Sequence, residues 1–552
     1  MLVVLLFISL SLATTSSITI SLYHVGEDWT IKYVSDTEAV AIATYVTSKE
    51  AKGYNELSVH TNKKYSDKEQ MFATGFADGF FSGNNINFHK ENMNAWYLDH
   101  YLGKAKDYPK SLYKYLQDNI DYINTQIKAN PEDQYWVSVD LIMEQVRGVT
   151  AGHNFAVKAS ESMTFYDMFF YESFGDLLDL TAVLPADDEV NGIERPKWFI
   201  KYANNDIDWH LNWKLRTKCS GLIRYVKENH DIYVSQVAWF MYGAMNRVMK
   251  HFDINLNNEY LSAKKVSFSS YPGFVFSFDD FYMTSNDLAI IETTFTNFNT
   301  TLNQYIHSNT LLDWIRIVLA VRASKNGKEF HDIFEKQNSG TYNNQWIVVD
   351  YKLFNSVESG IPEGTLTVSE QIPGYVFYKD FSTSLESTGY FGSFNVPEIQ
   401  KTIDMSNTTA NAQGNKAFWN SPTECCRAKI FEKYAPKVMN MNDMKKMMKY
   451  NDYKNEPLSK DPTTELQDPG ATIAARYDLR PSELKPLPFG QMDAKICDKS
   501  GFETLQFHVQ AGPTHDNQPY LDLEVYEKQG WFVPDKGVLK VWNFDWEEFI
   551  PK

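Results

Sequence analysis

The chain lacks the short motifs of the most familiar hydrolases and nucleotide-binding enzymes. Its 552 residues contain no G-x-S-x-G, no H-E-x-x-H, no P-loop and no G-x-G-x-x-G. The twelve histidines are dispersed, and none stands four residues from another, so a helical zinc site is not expected. We therefore predict no metal and no cofactor, and neither a serine triad nor a metallohydrolase site has a local motif to support it.

Excess positive charge and long apolar runs are missing as well. Lysine and arginine total 53 against 70 aspartates and glutamates, which gives a net charge of −17. A nucleic-acid-binding protein would carry the opposite sign. Beyond the N-terminus no stretch reaches the roughly 18 consecutive apolar residues of a membrane helix. We expect a protein that binds no nucleic acid and has no transmembrane segment.

The N-terminus carries a short apolar run, Leu2 to Leu12, followed by small residues. This arrangement is typical of a secretory signal peptide, predicted here to comprise residues 1–17. Sequons at Asn299 and Asn407 fit the same route as glycosylation sites. We expect the mature protein to be secreted or to reside in the lysosomal lumen.

Helical and strand patterns occupy separate parts of the sequence. Residues 36–185 are mainly helical in pattern, whereas strands become common from residue 219 onward. Two apolar runs, 219–226 and 231–239, flank a polar turn and predict a β-hairpin. Helices and strands in separate runs indicate an α+β layered fold.

Three further segments complete the prediction of local structure. Apolar residues spaced at i, i+3, i+4 and i+7 predict a helix over 240–252, and similar spacing predicts another over 310–323. The stretch 455–490 is rich in proline, aspartate and lysine. It is predicted to be a long surface loop within one fold.

Cysteine is scarce, with only Cys219, Cys425, Cys426 and Cys497. A secreted chain of this length can be held together by its core and needs no disulfides. Adjacent Cys425 and Cys426 would form a strained bridge with one another, and either could pair with Cys497. Cys219 is the free thiol by position, and it could be a buried core residue, a stray thiol or a nucleophile.

A nucleophilic thiol needs a base, and one becomes available if the chain is cut between Lys218 and Cys219. The new α-amino group would have a pKa of roughly 7.7–8.0 and would be fixed beside the thiol. One residue would then supply both nucleophile and base, which accounts for the missing triad motifs. The thiol could make the cut itself by attacking the Lys218 carbonyl, giving a thioester that water hydrolyses.

From about residue 70 to 515 the sequence resembles the phospholipase B-like family of lumenal N-terminal nucleophile (Ntn) hydrolases. The matching segments occur in the family's order. They are CSGLIRYV, DIYVSQVAW, MKHFDI, SSYPGFVFSFDDFY, NSGTYNNQW, LTVSEQIPGYV, GSFNVP, RAKIF, MMKYNDY and AGPT.

The resemblance implies an αββα sandwich of the Ntn hydrolase type, made as an inactive precursor that is cut before a cysteine. Here the cut would fall between Lys218 and Cys219. An N-terminal fragment, 18–218, would be mainly helical and part of the same fold. A C-terminal fragment, 219–552, would carry the nucleophile and most of the strands. The two fragments would stay associated, so each would be the other's partner.

The resemblance also implies site residues, with Cys219 as the nucleophile. Trp239 matches a pocket tryptophan, and Asn395 matches an active-site asparagine whose N–H groups could stabilise an oxyanion. Arg427 matches an arginine that could bind a carboxylate or phosphate, or lower the pKa of the thiol. Structural alternatives are a core aromatic for Trp239, a loop cap for Asn395 and a surface ion pair for Arg427.

The sequence departs from the family pattern at Gln236, where the family has histidine. Glutamine can form hydrogen bonds but cannot exchange a proton near neutral pH. The first hypothesis is a hydrolase in which Cys219 takes the acyl group from a lipid ester, or from an acyl amide, as in most Ntn relatives. The alternative is a catalytically weak lumenal binding protein on the same scaffold, and the glutamine at position 236 is the reason for considering it.

Overall fold

The computed structural model describes residues 15–26, 28–102, 105–184 and 219–552. Lys218 and residues 1–14 lie outside these ranges. The fold is α+β, as the separate helical and strand patterns predict. The first strand begins at Ser16, so the predicted end of the signal peptide at residue 17 falls within a strand.

The strands are numbered in chain order. Within the described ranges β1 to β19 are Ser16–Val25, Asp28–Lys32, Ala41–Thr47, Tyr54–Thr61, Ser220–Val226, Asp231–Met241, Arg247–Asp253, Lys265–Ser270, Phe281–Thr284, Leu288–Thr294, Asn344–Asp350, Leu366–Ile372, Tyr375–Asp380, Tyr390–Ser393, Phe489–Cys497, Phe507–Ala511, Leu521–Asp522, Val541–Trp542 and Trp546–Phe549.

The helices are numbered in the same way. Within the described ranges α1 to α16 are Lys49–Lys52, Asp67–Ser82, Asn84–Trp96, Lys110–Ala129, Gln134–Ala156, Phe165–Glu172, Phe174–Val183, Asp313–Ala323, Gly327–Phe334, Tyr351–Asn355, Ser382–Thr388, Gln400–Met405, Ala417–Asn420, Cys426–Tyr434, Met441–Met448 and Leu523–Lys528. The helix predicted over 310–323 is confirmed as α8.

Most strands belong to two sheets. The larger has the order β13-β12-β11-β10-β9-β8-β7-β4-β3-β1-β2, and the smaller has the order β14-β5-β6-β15-β16-β19. In the larger sheet β4 and β7 pair in parallel, which joins the N-terminal part of the chain to the part after residue 219. In the smaller sheet β5 and β6 form the predicted hairpin, with Ser220 opposite Val237.

The two sheets face one another across a buried interface. Phe281 of β9 and Phe507 of β16 have ring centroids 5.0 Å apart. A Cβ added to Gly221 of β5 would lie 3.1 Å from the side chain of Ile291 on β10. The absence of a side chain at Gly221 therefore lets the sheets approach closely beside Cys219.

Helices cover the far side of each sheet. On the larger sheet α2 packs against β3 and β4, and Lys250 of β7 reaches Asp78 of α2 at 2.6 Å. On the smaller sheet α15 packs against β6 and β15, and α14 against β14. This layering is compatible with the sandwich that the resemblance implies, and the Ntn type of that sandwich stays a prediction.

The helical layer is built on a very close crossing of α2 and α5. A Cβ added to Gly75 would lie 1.9 Å from the carbonyl oxygen of Gln145, so any larger residue there would push the helices apart. The start of α2 is fixed by a capping box, in which Ser66 and Glu69 each satisfy the other's main-chain N–H.

The helix predicted over 240–252 is wrong. Tyr242–Ala244 form a single 3-10 turn, and Arg247–Asp253 form β7 between β4 and β8. The strand is buried on both faces, so it shows no alternation of polar and apolar residues, and the chance spacing that begins at Met241 resembles a helix.

The stretch 455–490 is irregular, as predicted, but the expectation of a surface loop is wrong. Residues 468–478 are buried. The segment is anchored internally by an ion pair of 2.5 Å between Arg480 and Asp468. Its burial means that it is part of the packing over the smaller sheet, and we call residues 468–478 the covering segment.

Candidate active site

Cys219 lies immediately before β5 in an unusual backbone conformation. Its φ is 86°, a left-handed value that residues with a Cβ rarely adopt. Asp280, Tyr342 and Asn395 also have positive φ, at 39°, 52° and 68°. Strained backbone persists only where the surrounding structure holds it, and it is concentrated at functional sites.

The pairing of β5, β6 and β15 places a set of side chains in neighbouring rows. Gly221, Gln236 and Lys495 stand directly opposite one another on the three strands. Cys219 lies two residues before Gly221, and Asp493 two residues before Lys495. Because alternate residues of a strand face the same side, Gly221, Gln236, Asp493 and Lys495 share the face toward the larger sheet. Cys219 precedes the strand, and its thiol interacts with Glu292 of the larger sheet and with Lys495, which places it on the same side. We call this side the inner face, and the opposite one the outer face.

Arg427, near the start of α14, contacts three of the predicted site residues. Its Nη1 donates to the carbonyl of Cys219 at 2.7 Å. Its Nη2 donates to the carbonyl of Phe394 at 2.6 Å and to Oδ1 of Asn395 at 2.7 Å. The guanidinium lies 4.5 Å from the ring centroid of Trp239. Arg427 is 3% exposed, so the alternative of a surface ion pair is excluded, and the contacts hold the main chain around Cys219.

Asn395 connects Arg427 to the larger sheet. Its Nδ2 donates to the carbonyl of Thr294 at 2.6 Å, and its main-chain N–H donates to Oγ1 of Thr293 at 3.3 Å. With Oδ1 accepting from Arg427, the amide is fixed from both sides. Its role as an oxyanion donor stays a prediction.

Trp239 lies on the outer face beneath the covering segment. Its Nε1 donates to the carbonyl of Ile473 at 3.2 Å, and the same carbonyl accepts from Oγ of Ser220 at 3.0 Å. The side chain is 3% exposed. The contacts of Trp239 join the hairpin to the covering segment, and its role in a substrate pocket stays a prediction.

Gln236 lies on the inner face. Its Nε2 donates to the main-chain carbonyl of Asp279 at 2.5 Å. Its Oε1 is buried and has no hydrogen-bond partner within the described ranges. The structure therefore places Gln236 on the same side of the sheet as Cys219 but away from Arg427 and Trp239.

The thiol of Cys219 is only 2% exposed. Burial raises its pKa well above the ordinary value, and the nearby carboxylate of Glu292 raises the pKa further. The N–H of Trp239 and the ammonium of Lys495 act in the opposite direction. Because the thiolate is the nucleophile, a raised pKa makes this thiol a weak nucleophile until its proton is removed.

All four cysteines lie within the described ranges, and no two of them form a disulfide. The pairing considered for Cys497 is therefore not formed. Cys425 occupies the N-cap position of α14. Although burial raises the pKa of its thiol, hydrogen bonds from Cys426 and from N–H groups of α14, together with Arg427, bring it to about 6. Sequence analysis missed this second thiol, and its position two residues before Arg427 was the available signal.

The two predicted glycosylation sites lie apart from this cluster and close to one another. Asn299 is partly buried, and its Nδ2 donates to the carbonyl of Met405 at 2.8 Å. Asn407 is exposed and has a φ of 59°. The structure thus presents Asn407 more openly than Asn299, and modification of either stays a prediction.

Sequence analysis also missed four charged residues that meet between the sheets. Asp279 binds Arg247 at 2.5 Å and Lys495 at 2.7 Å, while Asp493 binds the same two cations at 2.8 and 2.7 Å. We call these four residues the charge ring. Burial raises the pKa of Asp279, but the two cations lower it to about 2. The available signal in the sequence was the presence of Asp493 and Lys495 within the otherwise uncharged strand β15.

The described ranges contain neither a membrane-spanning helix nor a metal-binding cluster. No helix there is both long and apolar enough to cross a bilayer. No group of three or more histidine, cysteine, aspartate or glutamate side chains is arranged there to hold a metal ion.

Comparison with known proteins gives a consistent result over almost the whole chain. The family model described as Phospholipase B matches residues 41–549. Phospholipase B-like protein D of Dictyostelium discoideum is 32% identical over 538 residues, covering 95% of this chain and 90% of the relative.

Two animal proteins match to a similar extent. Human phospholipase B-like 1 is 31% identical over 529 residues, covering 94% of this chain and 89% of the relative. Phospholipase B of Crotalus adamanteus is 28% identical over 529 residues, covering 94% and 90%. All three alignments extend over most of this chain, so they include both sides of the predicted cut.

Proposed function

Because the chain belongs to the phospholipase B family, we propose that it is a hydrolase of lipid acyl esters whose nucleophile is the thiol of Cys219. One observation carries the proposal. Cys219 has a φ of 86° at the head of β5, and Arg427 holds its carbonyl while also binding Asn395. A structural core cysteine has no need of a strained backbone or of a dedicated buried arginine.

The proposed first reaction cuts the chain before Cys219. The Sγ of Cys219 attacks the carbonyl carbon of Lys218, the C–N bond breaks, and the leaving nitrogen becomes the α-amine of Cys219 by taking up the thiol proton. Water then hydrolyses the thioester, which gives the carboxylate of Lys218 and restores the thiol. The strained backbone of Cys219 and the hydrogen bond from Arg427 to the Cys219 carbonyl fix the nucleophilic residue in one geometry.

Turnover repeats the same chemistry on a substrate. The α-amine of Cys219 removes the thiol proton, Sγ attacks the ester carbonyl, and the amine passes the proton to the departing alcohol. Water then attacks the thioester while the amine takes a proton from that water. The C–S bond breaks, the ammonium returns the proton to Sγ, and the fatty acid leaves. The amide of Asn395 is proposed to stabilise the oxyanion of both steps, and Trp239 is proposed to line the site.

The proposal is tested with the purified full chain and with Cys219→Ala and Cys219→Ser variants. N-terminal sequencing of the wild type is expected to find a fragment that begins at Cys219. The Ala variant is expected to remain uncut and to release no fatty acid from phospholipid micelles. Mature wild-type protein that is unbroken through residue 219, or an Ala variant with wild-type turnover, would overturn the proposal.

A second candidate, a weak binding protein on the same scaffold, is favoured by Gln236. This side chain donates to the carbonyl of Asp279 and cannot supply a proton to a leaving group. Titration of the cut protein with a thiol-reactive acyl probe distinguishes the candidates, because a cut protein that takes up no label supports the binding protein. Parallel assays with acyl esters and acyl amides establish which bond is cleaved. A lumenal location, secreted or lysosomal, is part of the proposal and is tested by fractionation.

A further inference from the structure

The charge ring lies on the same side of the smaller sheet as Cys219. Asp493 and Lys495 project from the inner face of β15, two strands from Cys219. Arg247 comes from β7 of the larger sheet, and Asp279 binds both cations through its Oδ2. None of the four is more than 4% exposed. Both sheets therefore contribute to a fixed, water-excluded set of charges beside the thiol.

Stability alone does not explain why these charges are buried. The desolvation of ions generally cancels most of their attraction, and apolar replacements of buried ion pairs are often neutral or stabilising. The ring is also incompletely paired: Oδ1 of Asp279 and Nη1 of Arg247 have no hydrogen-bond partner within the described ranges. Gln236, bound to the carbonyl of Asp279, likewise has an unpaired Oε1 there.

Fixed charges act strongly on a neighbour in such surroundings because little water screens them. Lys495 and Asp279 both act on the Cys219 thiol, and they act in opposite directions. Asp493 binds Lys495, and Arg247 binds Asp279, which prevents either charge from turning away. The arrangement has the form of a preorganised electrostatic environment.

We propose that Lys495 and Asp279 are positioning residues that set the balance between thiol and thiolate at Cys219, with Asp493 and Arg247 holding them in place. This inference rests on the proposed function of Cys219 as nucleophile. In this proposal the charge ring affects the reaction through Cys219, without contacting the substrate.

Other groups also face Cys219. Glu292 of β10 disfavours the thiolate from the larger sheet, and the phenols of Tyr271 and Tyr342 lie close enough to interact with the thiol. Arg427 binds the main-chain carbonyl of Cys219 from the outer face. None of these groups is changed in the variants used below. The guanidinium of Arg247 lies 4.2 Å from the ring centroid of Tyr271, so the test leaves Arg247 in place and changes Lys495 and Asp279.

The test uses full-length protein in which a protease recognition sequence ends at residue 218, so that every variant can be cut to begin at Cys219. The rate of alkylation of Cys219 by iodoacetamide is measured against pH, and mass spectrometry of the N-terminal peptide separates it from Cys425. Lys495→Met is expected to move the midpoint up by about one pH unit, and Asp279→Asn to move it down by a similar amount. Lys495→Arg is expected to restore the wild-type midpoint.

The matched control is Lys250→Met. Lys250 is as deeply buried as Lys495 and pairs with Asp78 at 2.6 Å, but it faces the helices on the far side of β7. The Lys250→Met change is expected to lower the melting temperature and to leave the alkylation midpoint of Cys219 unchanged.

The proposal would be overturned if the alkylation midpoints of Lys495→Met and Asp279→Asn moved in the same direction, or if neither midpoint moved. It would also be overturned if the midpoint of the control moved by an equal amount. If Lys495→Met does not melt cooperatively, Asp279→Asn decides, and a midpoint that stays or rises overturns the proposal. Cutting of the unmodified chain at Cys219 tests the proposed function separately, so the two failures can be told apart.

Discussion

The outer and inner faces of the smaller sheet differ in how they use their polar groups around Cys219. On the outer face Arg427 and Trp239 donate to carbonyls of neighbouring segments. On the inner face Gln236 and Asp279 each retain a buried oxygen that has no partner within the described ranges. The outer face holds the backbone in place, and the inner face keeps unused hydrogen-bonding capacity beside the thiol.

This difference separates the support of the site from its chemistry. Groups that hold geometry should affect stability and cutting, whereas groups on the inner face should affect reactivity and its pH dependence. Asn395 is bound both by Arg427 and by Thr294. It therefore tests whether a residue between the two sets of groups affects stability, reactivity or both.

The largest effect is expected for Arg427→Met. The change leaves the carbonyls of Cys219 and Phe394 without a donor in a buried place, which should lower the free energy of unfolding by about 3 kcal/mol. Because the Cys219 segment is then no longer held, cutting before Cys219 should fall below detection in the time in which the wild type is fully cut. Urea unfolding and gel electrophoresis measure the two effects.

Arg224→Met is the matched control for that variant. Arg224 also lies on the outer face of β5 and donates to the carbonyls of Val438 and Gly389. It should lose a similar amount of stability and still be cut. Normal cutting of Arg427→Met, or failure of the control to be cut, would contradict the assigned role of Arg427.

A smaller effect is expected for Asn395→Asp. Aspartate still accepts from Arg427 but has no N–H for an oxyanion, so kcat should fall by about 100-fold to 1,000-fold. Active-site titration and steady-state kinetics on the cut protein measure the change. Asn451→Asp is the control, since Asn451 is buried and donates to the carbonyls of Pro469 and Ala474. A decrease of the same size in the control would show that the effect is only structural.

The smallest effect is expected for Trp239→Phe. Phenylalanine keeps a ring beneath Arg427 but loses the hydrogen bond to Ile473, so the free energy of unfolding should fall by about 1 kcal/mol. Cutting and the alkylation midpoint of Cys219 should not change. A turnover reduced more than about tenfold, roughly 1.4 kcal/mol in the barrier, with normal cutting would support the proposed place of Trp239 in the substrate pocket. A smaller decrease would mean that Trp239 only supports the hairpin.

Local patterns predicted the hairpin of β5 and β6 because a polar turn separates two apolar runs, and the helix α8 because its apolar residues recur at helical spacing, although these elements are buried on all sides. The helix expected over 240–252 was wrong because β7 is sandwiched between neighbouring strands and buried on both faces. The resemblance indicated Asn395 and Arg427, and the structure brings both to Cys219 across 176 and 208 positions of sequence.

The family, and Cys219 as the candidate nucleophile, could be recognised from the sequence, because segments such as CSGLIRYV are contiguous and keep their order along the chain. Only the tertiary structure showed the charge ring and the covering segment. The members of the charge ring come from distant parts of the chain and meet because the two sheets pack together. The covering segment lies on a hairpin that is 234 positions away in sequence. A charged residue in a strand has no predictable partner until the opposing sheet is in place, since burial and pairing are properties of the assembled fold.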